Sequence, residues 1–306
     1  VVGLPFTIFA GALIGKYIFP DFAVWELLLL AAILSPTDAA LGQSVVSEPI
    51  VPVRIRQSLN VESGLNDGIA LSAVLVFAAL SMTSSQPIDR SVIDWMIFGG
   101  LQVTLGPIMG IVIGYLGAKL IDQSASAEWM TGAFEGASIL ALAALSFLLS
   151  EAVGGNGFIS AFSAGLVFGN TIQSKCKFLF EFMETEGQLL TLITFLIFGY
   201  VLLPIGIAAF DMSILIYAVL SLTVVRMVPV AVSLVGSKVR MPTVFFLGWF
   251  GPRGIASILF ALLILGKNTS DNINTIFAVT IITVALSVLL HGISAAPLAK
   301  SYSKHS

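Results

Sequence analysis

The sequence predicts an all-α polytopic membrane protein, arranged as an inverted repeat in which two spans are broken. Three observations carry that prediction. Of the 306 residues, 57% are hydrophobic and 10% charged, where a soluble domain carries about 25% charged residues; the mean hydropathy is +1.02. Lys and Arg alternate in abundance along the connections between apolar segments. Two of those segments are interrupted in similar places by proline and a charged residue.

Ten apolar segments can be marked, at about 2–19, 22–47, 58–81, 92–121, 131–150, 156–172, 187–204, 212–236, 241–266 and 273–298. Most approach the roughly 20 residues that a bilayer demands of a helix. Connections after even-numbered segments hold nine basic residues: Arg54, Arg56, Lys119, Lys175, Lys177, Lys238, Arg240, Lys300 and Lys304. Connections after odd-numbered segments hold three: Lys16, Arg90 and Lys267. The excess of Lys and Arg on cytoplasmic loops places the even connections and the C-terminus inside the cell. A miscounted segment scrambles this alternation, so it also supports ten spans.

Segment two is too long for one span and is broken by Ser35-Pro36-Thr37-Asp38, after which the apolar run resumes with AALGQSVVS. Segment nine is broken by Gly251-Pro252-Arg253-Gly254. Proline removes a backbone donor and turns the preceding residue away from helix. Irregular backbone at membrane depth persists only where protein or a cavity surrounds it, and paired breaks point to a transporter's binding site. Two independent proline kinks are the plain alternative, but both breaks also carry a charge. Asp38 lies just inside the start of a half-helix, where the dipole favours a carboxylate, and Arg253 follows the end of another, where carbonyls favour a cation.

Segments one to three and eight to ten share the order span, broken span, span, and start on opposite sides of the membrane. They read as the two triplets of an inverted repeat. If each repeat holds six spans joined by one linker, about three spans precede Val1, which is not an initiator methionine. Between the triplets, Gly106, Gly110 and Gly114 recur every four residues, as do Ala161, Gly165 and Gly169. Small residues at this spacing let helices approach closely. The stretch 174–187, with Phe178 and Phe182 on one face beside charges, reads as an amphipathic helix on the cytoplasmic interface. A single cysteine, Cys176, allows no disulfide framework or thiolate cluster. His291 and His305 lie far from any acidic group in sequence, so no histidine metal site is expected.

The chemistry concentrates in segment three, whose opening SLNVESGLNDG (58–68) carries Glu62, Asn66 and Asp67 into an apolar helix. Glu62 and Asn66 are four apart, and so are Ser63 and Asp67, so each pair shares a helix face. A charge at the centre of a span costs roughly 2.5–3.5 kcal/mol on insertion scales and marks function by default. Five ionisable residues are read as lying at membrane depth: Asp38, Glu62, Asp67, Arg226 and Arg253. Three are acidic and two basic, which leaves one negative charge over. An uncompensated charge in a dry site must take up a proton or hold a cation, so the two compete for it. The surplus carboxylate is assigned to Asp67, and Glu62 is the partner of Arg226. Asn66, Ser63, Thr37 and Asp38 can add the oxygen ligands that a hard cation takes.

Three alternatives stand beside this reading. The five charges can form a network that only fixes packing, although such a set has no need of an odd charge or of broken helices. An intramembrane hydrolase needs a nucleophile with a base, or an aspartyl dyad such as Asp38 with Asp67; His291, placed at the cytoplasmic end of segment ten, has no suitable partner. A cation channel lacks obligatory counter-transport, and no repeated filter-like loop is present. No enzymatic activity, cofactor or nucleic-acid partner is expected.

ESGLNDG at 62–68, TDA at 37–39 and GPRG at 251–254 resemble the monovalent cation:proton antiporters, in particular the electroneutral sodium/proton exchanger branch of bacteria. The resemblance covers essentially the whole chain. It implies thirteen spans, with two broken helices crossing in a mobile core (residues 1–84 and 211–306) beside a scaffold (85–210) that forms a homodimer. It implies exchange of Na⁺, or alternatively K⁺, for H⁺ across the inner membrane by alternating access. Asp67 is then the ion- and proton-binding carboxylate, with Asn66 in place of a second aspartate as in electroneutral members. Glu62 with Arg226 resembles a family ion pair. One departure is that the family's first break often reads Thr-Asp-Pro, whereas here Pro36 precedes Thr37-Asp38.

Overall fold

The computed structural model describes residues 3–38, 41, 51–82, 92–127, 129, 132–172, 177–237, 239–265 and 272–303. Among these residues every regular element is helical. Five helices are long and apolar enough to cross a membrane by length and composition: within 53–78, 100–126, 187–208, 212–233 and 273–303. Shorter apolar helices lie at Gly3–Ile18, Val24–Ile33, Gly136–Ala152 and Ile255–Leu265. The chain divides into two compact units, one formed by residues 1–88 and 194–306, the other by 89–193.

The first unit begins with α1 (Gly3–Ile18) and α2 (Val24–Ile33). Glu26 starts α2 by accepting the Ala23 N–H at 2.8 Å, which satisfies one of the donors a helix start leaves open. The helix stops at Ile33 before the Ser35-Pro36 break, and Ser35 Oγ turns back to the Ala32 carbonyl at 2.8 Å. Residues 39–47, the expected second half of this span, lie outside the described residues except for Leu41, which is helical. The helix α3 (Val53–Met82) carries the SLNVESGLNDG stretch without interruption.

In the second unit, α4 (Val92–Ser126) packs along α6 (Gly157–Thr171), with α5 (Gly132–Ala152) against both. Asn156 caps α6 by accepting the Ile159 N–H at 3.1 Å. Gly110 and Gly114 meet α6 so closely that a Cβ on either would fall into the backbone of Ser160 or Ala164. The second small-residue stripe behaves differently. An added Cβ at Gly165 or Gly169 meets nothing within 4 Å, so α6 offers α4 the face of Ser160 and Ala164 instead. Periodicity marks a smooth face but not which face is used. Gly114→Val is therefore expected to destabilise this unit by about 1–3 kcal/mol, the usual range for overpacking, while Gly169→Val stays near neutral. Thermal unfolding of the detergent-solubilised protein checks the contrast.

The helix α7 (Lys177–Ile197) leads from the second unit into the first, through a π-helical turn at Phe198–Leu202 and then α8 (Leu203–Ala208). Pro204 has no N–H to return to the preceding turn, and the wider turn accommodates the missing bond. Of the proposed interfacial stretch, residues 174–176 and the side chains of Phe178 and Phe182 lie outside the described residues. Residues 194–210, which the resemblance groups with the scaffold, pack with the first unit, where a Cβ on Gly206 would press against Ile281.

The remaining helices are α9 (Met212–Leu222), α10 (Val224–Ser233), α11 (Met241–Trp249), α12 (Ile255–Leu265) and α13 (Ile273–Ser303). Segment eight is thus bent at Thr223, whose φ and ψ are −108° and −89°. The Thr223 hydroxyl donates back to the Val219 carbonyl at 2.7 Å, a bond that bends helices. In this unit α2 packs on α1 and α3, α9 on α13, and α12 on α2, α3 and α13. The two interruptions therefore meet: Asp38 N–H donates to the Pro252 carbonyl at 2.7 Å.

Candidate functional site

The two breaks hold each other through their charges. Arg253 is fully buried, and its Nη1 donates to the carbonyls of Ser35 at 2.6 Å and Pro36 at 3.0 Å. These carbonyls follow α2 and lack helical partners, so a guanidinium there satisfies both hydrogen bonding and dipole. In return Asp38 Oδ2 accepts the Ile255 N–H at 2.6 Å, at the start of α12, while Oδ1 accepts the Leu41 N–H at 3.2 Å. The sequence places Asp38 at the start of its own second half-helix and Arg253 at the end of its own first half. Asp38 does serve its own strand of backbone through Leu41, and α12 as well. Arg253 instead serves the other broken span, because the crossing brings the end of α2 within reach. The end of α11 is taken by another side chain: the Trp249 carbonyl lies 2.9 Å from His291 Nε2.

The glycines of GPRG have a steric reason. A Cβ on Gly254 would run into the Asp38 carboxylate, and one on Gly251 into the Arg226 guanidinium. Both acceptor and cation are tied down, so neither can easily yield. Gly254→Ala is expected to displace Asp38 from the Ile255 N–H and to destabilise the protein by about 1–3 kcal/mol, the usual range for overpacking; thermal unfolding checks this.

Around these breaks stand the residues of α3. Arg226, on the first turn of α10, approaches Glu62 with Nη1 2.5 Å from Oε1. The arginine side chain is 5% exposed and the glutamate 26%. Asn66, one turn after Glu62, points its amide nitrogen at Glu62 Oε1 (3.4 Å) and at Thr37 Oγ1 (3.5 Å). Thr37 and Ser63 hydroxyls are 3.1 Å apart and both residues are buried. Asp67 lies on the same helix, with Asp38 as the charged neighbour that acts on it. Its Oδ1 is buried and has no hydrogen-bond partner among the described residues.

The structure thus brings together Thr37, Asp38, Glu62, Ser63, Asn66, Arg226 and Arg253 at one crossing. A cavity of about 330 Å³ reaches this group and is lined by Ser58, Glu62, Asn66, Arg226, Ser233 and Leu247, among others. A second cavity, of about 380 Å³, is walled by Phe245, Phe246, Trp249 and Tyr302, with no carboxylate, imidazole, lysine or arginine among the described residues of its lining.

Two polar residues here escape a reading by charge. Ser287 and His291 lie a turn apart on α13, and both are buried. Ser287 Oγ accepts the Arg253 N–H at 2.7 Å. His291 is therefore inside the packed unit and bonded to Ser287 and Trp249. The available signal was two polar residues four apart in an otherwise apolar span.

Residues 1–301 match the family described as sodium/hydrogen exchanger, transmembrane. The chain is similar to the K⁺/H⁺ antiporter NhaP of Alkalimonas amylolytica, 23% identical over 275 residues, covering 89% of this chain and 46% of that protein. It is similar to a Na⁺/H⁺ antiporter of Schizosaccharomyces pombe, 26% identical over 80% of this chain and 55% of that protein. It is also similar to the Na⁺/H⁺ antiporter ApNhaP of Aphanothece halophytica, 25% identical over 86% of this chain and 51% of that protein. The chain spans about half the length of these curated relatives. Among solved structures it resembles the sodium proton antiporter MjNhaP1 of Methanocaldococcus jannaschii at pH 8, with a TM-score of 0.74 and 20% identity, covering 99% of this chain and 77% of that one. That likeness speaks for the helical fold.

Proposed function

The chain belongs to the sodium/hydrogen exchanger family, and from that premise we propose that it exchanges a monovalent cation, Na⁺ first, for H⁺ at Asp67. The observation that carries this reading is the buried Oδ1 of Asp67, which has no hydrogen-bond partner among the described residues. The other four charges at the crossing are engaged: Glu62 with Arg226, Arg253 with two carbonyls, and Asp38 with two N–H groups. A proton neutralises Asp67 in one half of the cycle and an alkali ion does so in the other, so transport is electroneutral. Asn66, Ser63, Thr37 and Asp38 complete the ion's oxygen shell, and the Asn66 amide nitrogen, held towards Thr37 and Glu62, leaves its oxygen for the ion. Glu62 and Arg226 act as a structural pair, and Arg253 with Asp38 offsets the helix ends.

We assign the transport core to residues 1–84 and 211–306 and the scaffold to 85–210, with the two triplets, six of the ten spans, related as an inverted repeat. All five charges lie in the unit that holds both triplets. The cavity beside Glu62 is lined by Gly3, Ser58 and Leu234, near helix ends that the Lys and Arg distribution puts on the cytoplasmic side. It serves as the cytoplasmic ion entry, in an inner-membrane protein with a cytoplasmic C-terminus. We further propose a homodimer, as the resemblance implies. K⁺ in place of Na⁺ is the second reading, favoured by the similarity to a protein described as a K⁺/H⁺ antiporter.

The test is proton flux into proteoliposomes of the full-length protein, with Na⁺, K⁺ and Li⁺ supplied in turn and membrane current recorded alongside. Cation-driven proton movement without current is expected. Current without obligatory proton movement identifies a channel and overturns the proposal.

A further inference from the structure

We propose that His291 is a positioning residue for the cation site, fixing the second break by joining the end of α11 to the backbone of Arg253. The inference rests on the exchange reading above for its flux readout only. The bonds themselves form one directed chain. The Trp249 carbonyl can only accept, so the imidazole nitrogen 2.9 Å away, Nε2, carries a hydrogen. The Arg253 N–H can only donate, and Ser287 Oγ accepts it at 2.7 Å. The Ser287 hydroxyl hydrogen is then free to go to His291 Nδ1, 3.2 Å away, which in this neutral tautomer is an acceptor.

The two other protonation states each give up one link. With the hydrogen on Nδ1, directed at the Ser287 carbonyl 2.9 Å away, the Trp249 carbonyl at the end of α11 keeps only the Gly251 N–H, 2.8 Å away, and its tie to His291 is lost. With both nitrogens protonated, a third cation joins Arg253 and Arg226, the charged groups that act on this ring, and the Ser287 hydroxyl loses its acceptor. The neutral Nε2–H form alone keeps both links of the chain, to the Trp249 carbonyl and from the Ser287 hydroxyl, at the cost of setting Nδ1 against the Ser287 carbonyl 2.9 Å away. A second tie holds the same place: Trp249 Nε1 donates to Ser294 Oγ at 2.9 Å, and its ring centroid lies 5.2 Å from that of His291.

The consequence reaches the ion. Arg253, whose backbone is held by Ser287, grips the carbonyls of Ser35 and Pro36, directly before Thr37 and Asp38. Loss of the imidazole lets the break relax, and the oxygens around the cation lose their spacing. Affinity for the cation should fall while the turnover of the filled site changes little.

Two variants of the full-length protein separate this from a packing role. His291→Leu removes donor and acceptor; His291→Gln keeps one of each. In proteoliposomes supplied with Na⁺ and then K⁺, His291→Leu is expected to raise KM for the transported ion about five- to tenfold, the scale of one buried hydrogen bond, with maximal rate within about twofold. His291→Gln should stay within about twofold of wild type on both. An unchanged KM in His291→Leu, or a glutamine variant as impaired as the leucine one, overturns the proposal. Should His291→Leu fail to fold, Ser287→Ala decides: a raised KM supports the chain of bonds, and a wild-type KM breaks it. Thermal shift against Na⁺ and K⁺ reads cation affinity in the same variants without turnover. Wild-type protein that binds but does not exchange would refute the exchange reading, and the variants' affinities would still decide the role of His291.

Discussion

Asp67→Asn is expected to abolish cation-driven proton flux, by about 100-fold or more, which corresponds to roughly 2.7 kcal/mol, while the protein folds and inserts normally. The expectation follows from what Asp67 lacks. Its Oδ1 is buried without a partner among the described residues, so the amide breaks no ion pair and leaves no opposite charge stranded. It removes the one negative charge that a cation or a proton must answer, along with the like-charge tension against Asp38. Stability should be unchanged or higher, especially in cation-free alkaline buffer, where the wild-type carboxylate is hardest to satisfy. Flux assays and thermal unfolding on the same preparation check both halves. Exchange retained with its pH dependence in Asp67→Asn would place the exchanging group elsewhere.

Arg226→Ala is expected to do the reverse. Removing one member of a buried ion pair costs about 3–5 kcal/mol, because the other charge is left uncompensated. The Glu62 side chain is 26% exposed and lines a cavity, so it can recruit water, and the lower end of that range applies. Thermal unfolding should drop strongly, whereas KM for the cation in the surviving protein should shift by no more than a few-fold. Replacing Glu62 by Gln in the same variant should recover part of the loss, as the stranded charge disappears. A well-folded Arg226→Ala with a large change in cation affinity would show that Glu62 belongs to the ion's own shell.

The contrast between the two variants reflects which parts of the site are legible in sequence. Glu62, Asp67 and Arg226 stand out because each charge is costly in an apolar helix; the signs leave one acid over, and the place of Glu62, about a turn from Asp67, makes it the choice of partner for Arg226. The breaks at Pro36 and Pro252 are legible because proline acts locally. What Arg253 grips is another matter. A dipole argument points to the nearest helix end in sequence, and the crossing of the broken spans offers a nearer one in space. Gly165 and Gly169 are misleading for a related reason: their spacing defines a smooth face, but the rotation of α6 sets which face meets α4. The bend at Thr223 and the wide turn before Pro204 arise from single hydrogen bonds made or missing, too small a signal for an apolar run to reveal. His291 and Ser287 escape notice because they are neutral and their importance lies in what they bond to, at positions 34 and 42 residues away in sequence.

Residues 194–210, which the family resemblance groups with the scaffold, pack with the compact unit that holds the crossing. Contact with α13 through Gly206 and Ile281 is a matter of shape, which composition does not encode. Hydropathy finds where helices lie; the partner of each helix is decided by side-chain relief on both surfaces.

The claim beneath all of this is that one carboxylate serves proton and alkali ion in turn, and proton release on cation binding measures it most directly. Detergent-purified full-length protein in weak buffer, at a pH where Asp67 is largely protonated, should release close to one proton per site when Na⁺ (or K⁺) is added, and Asp67→Asn should release none. Cation binding without proton release in the wild-type protein, or equal release from both proteins, would contradict competition at Asp67.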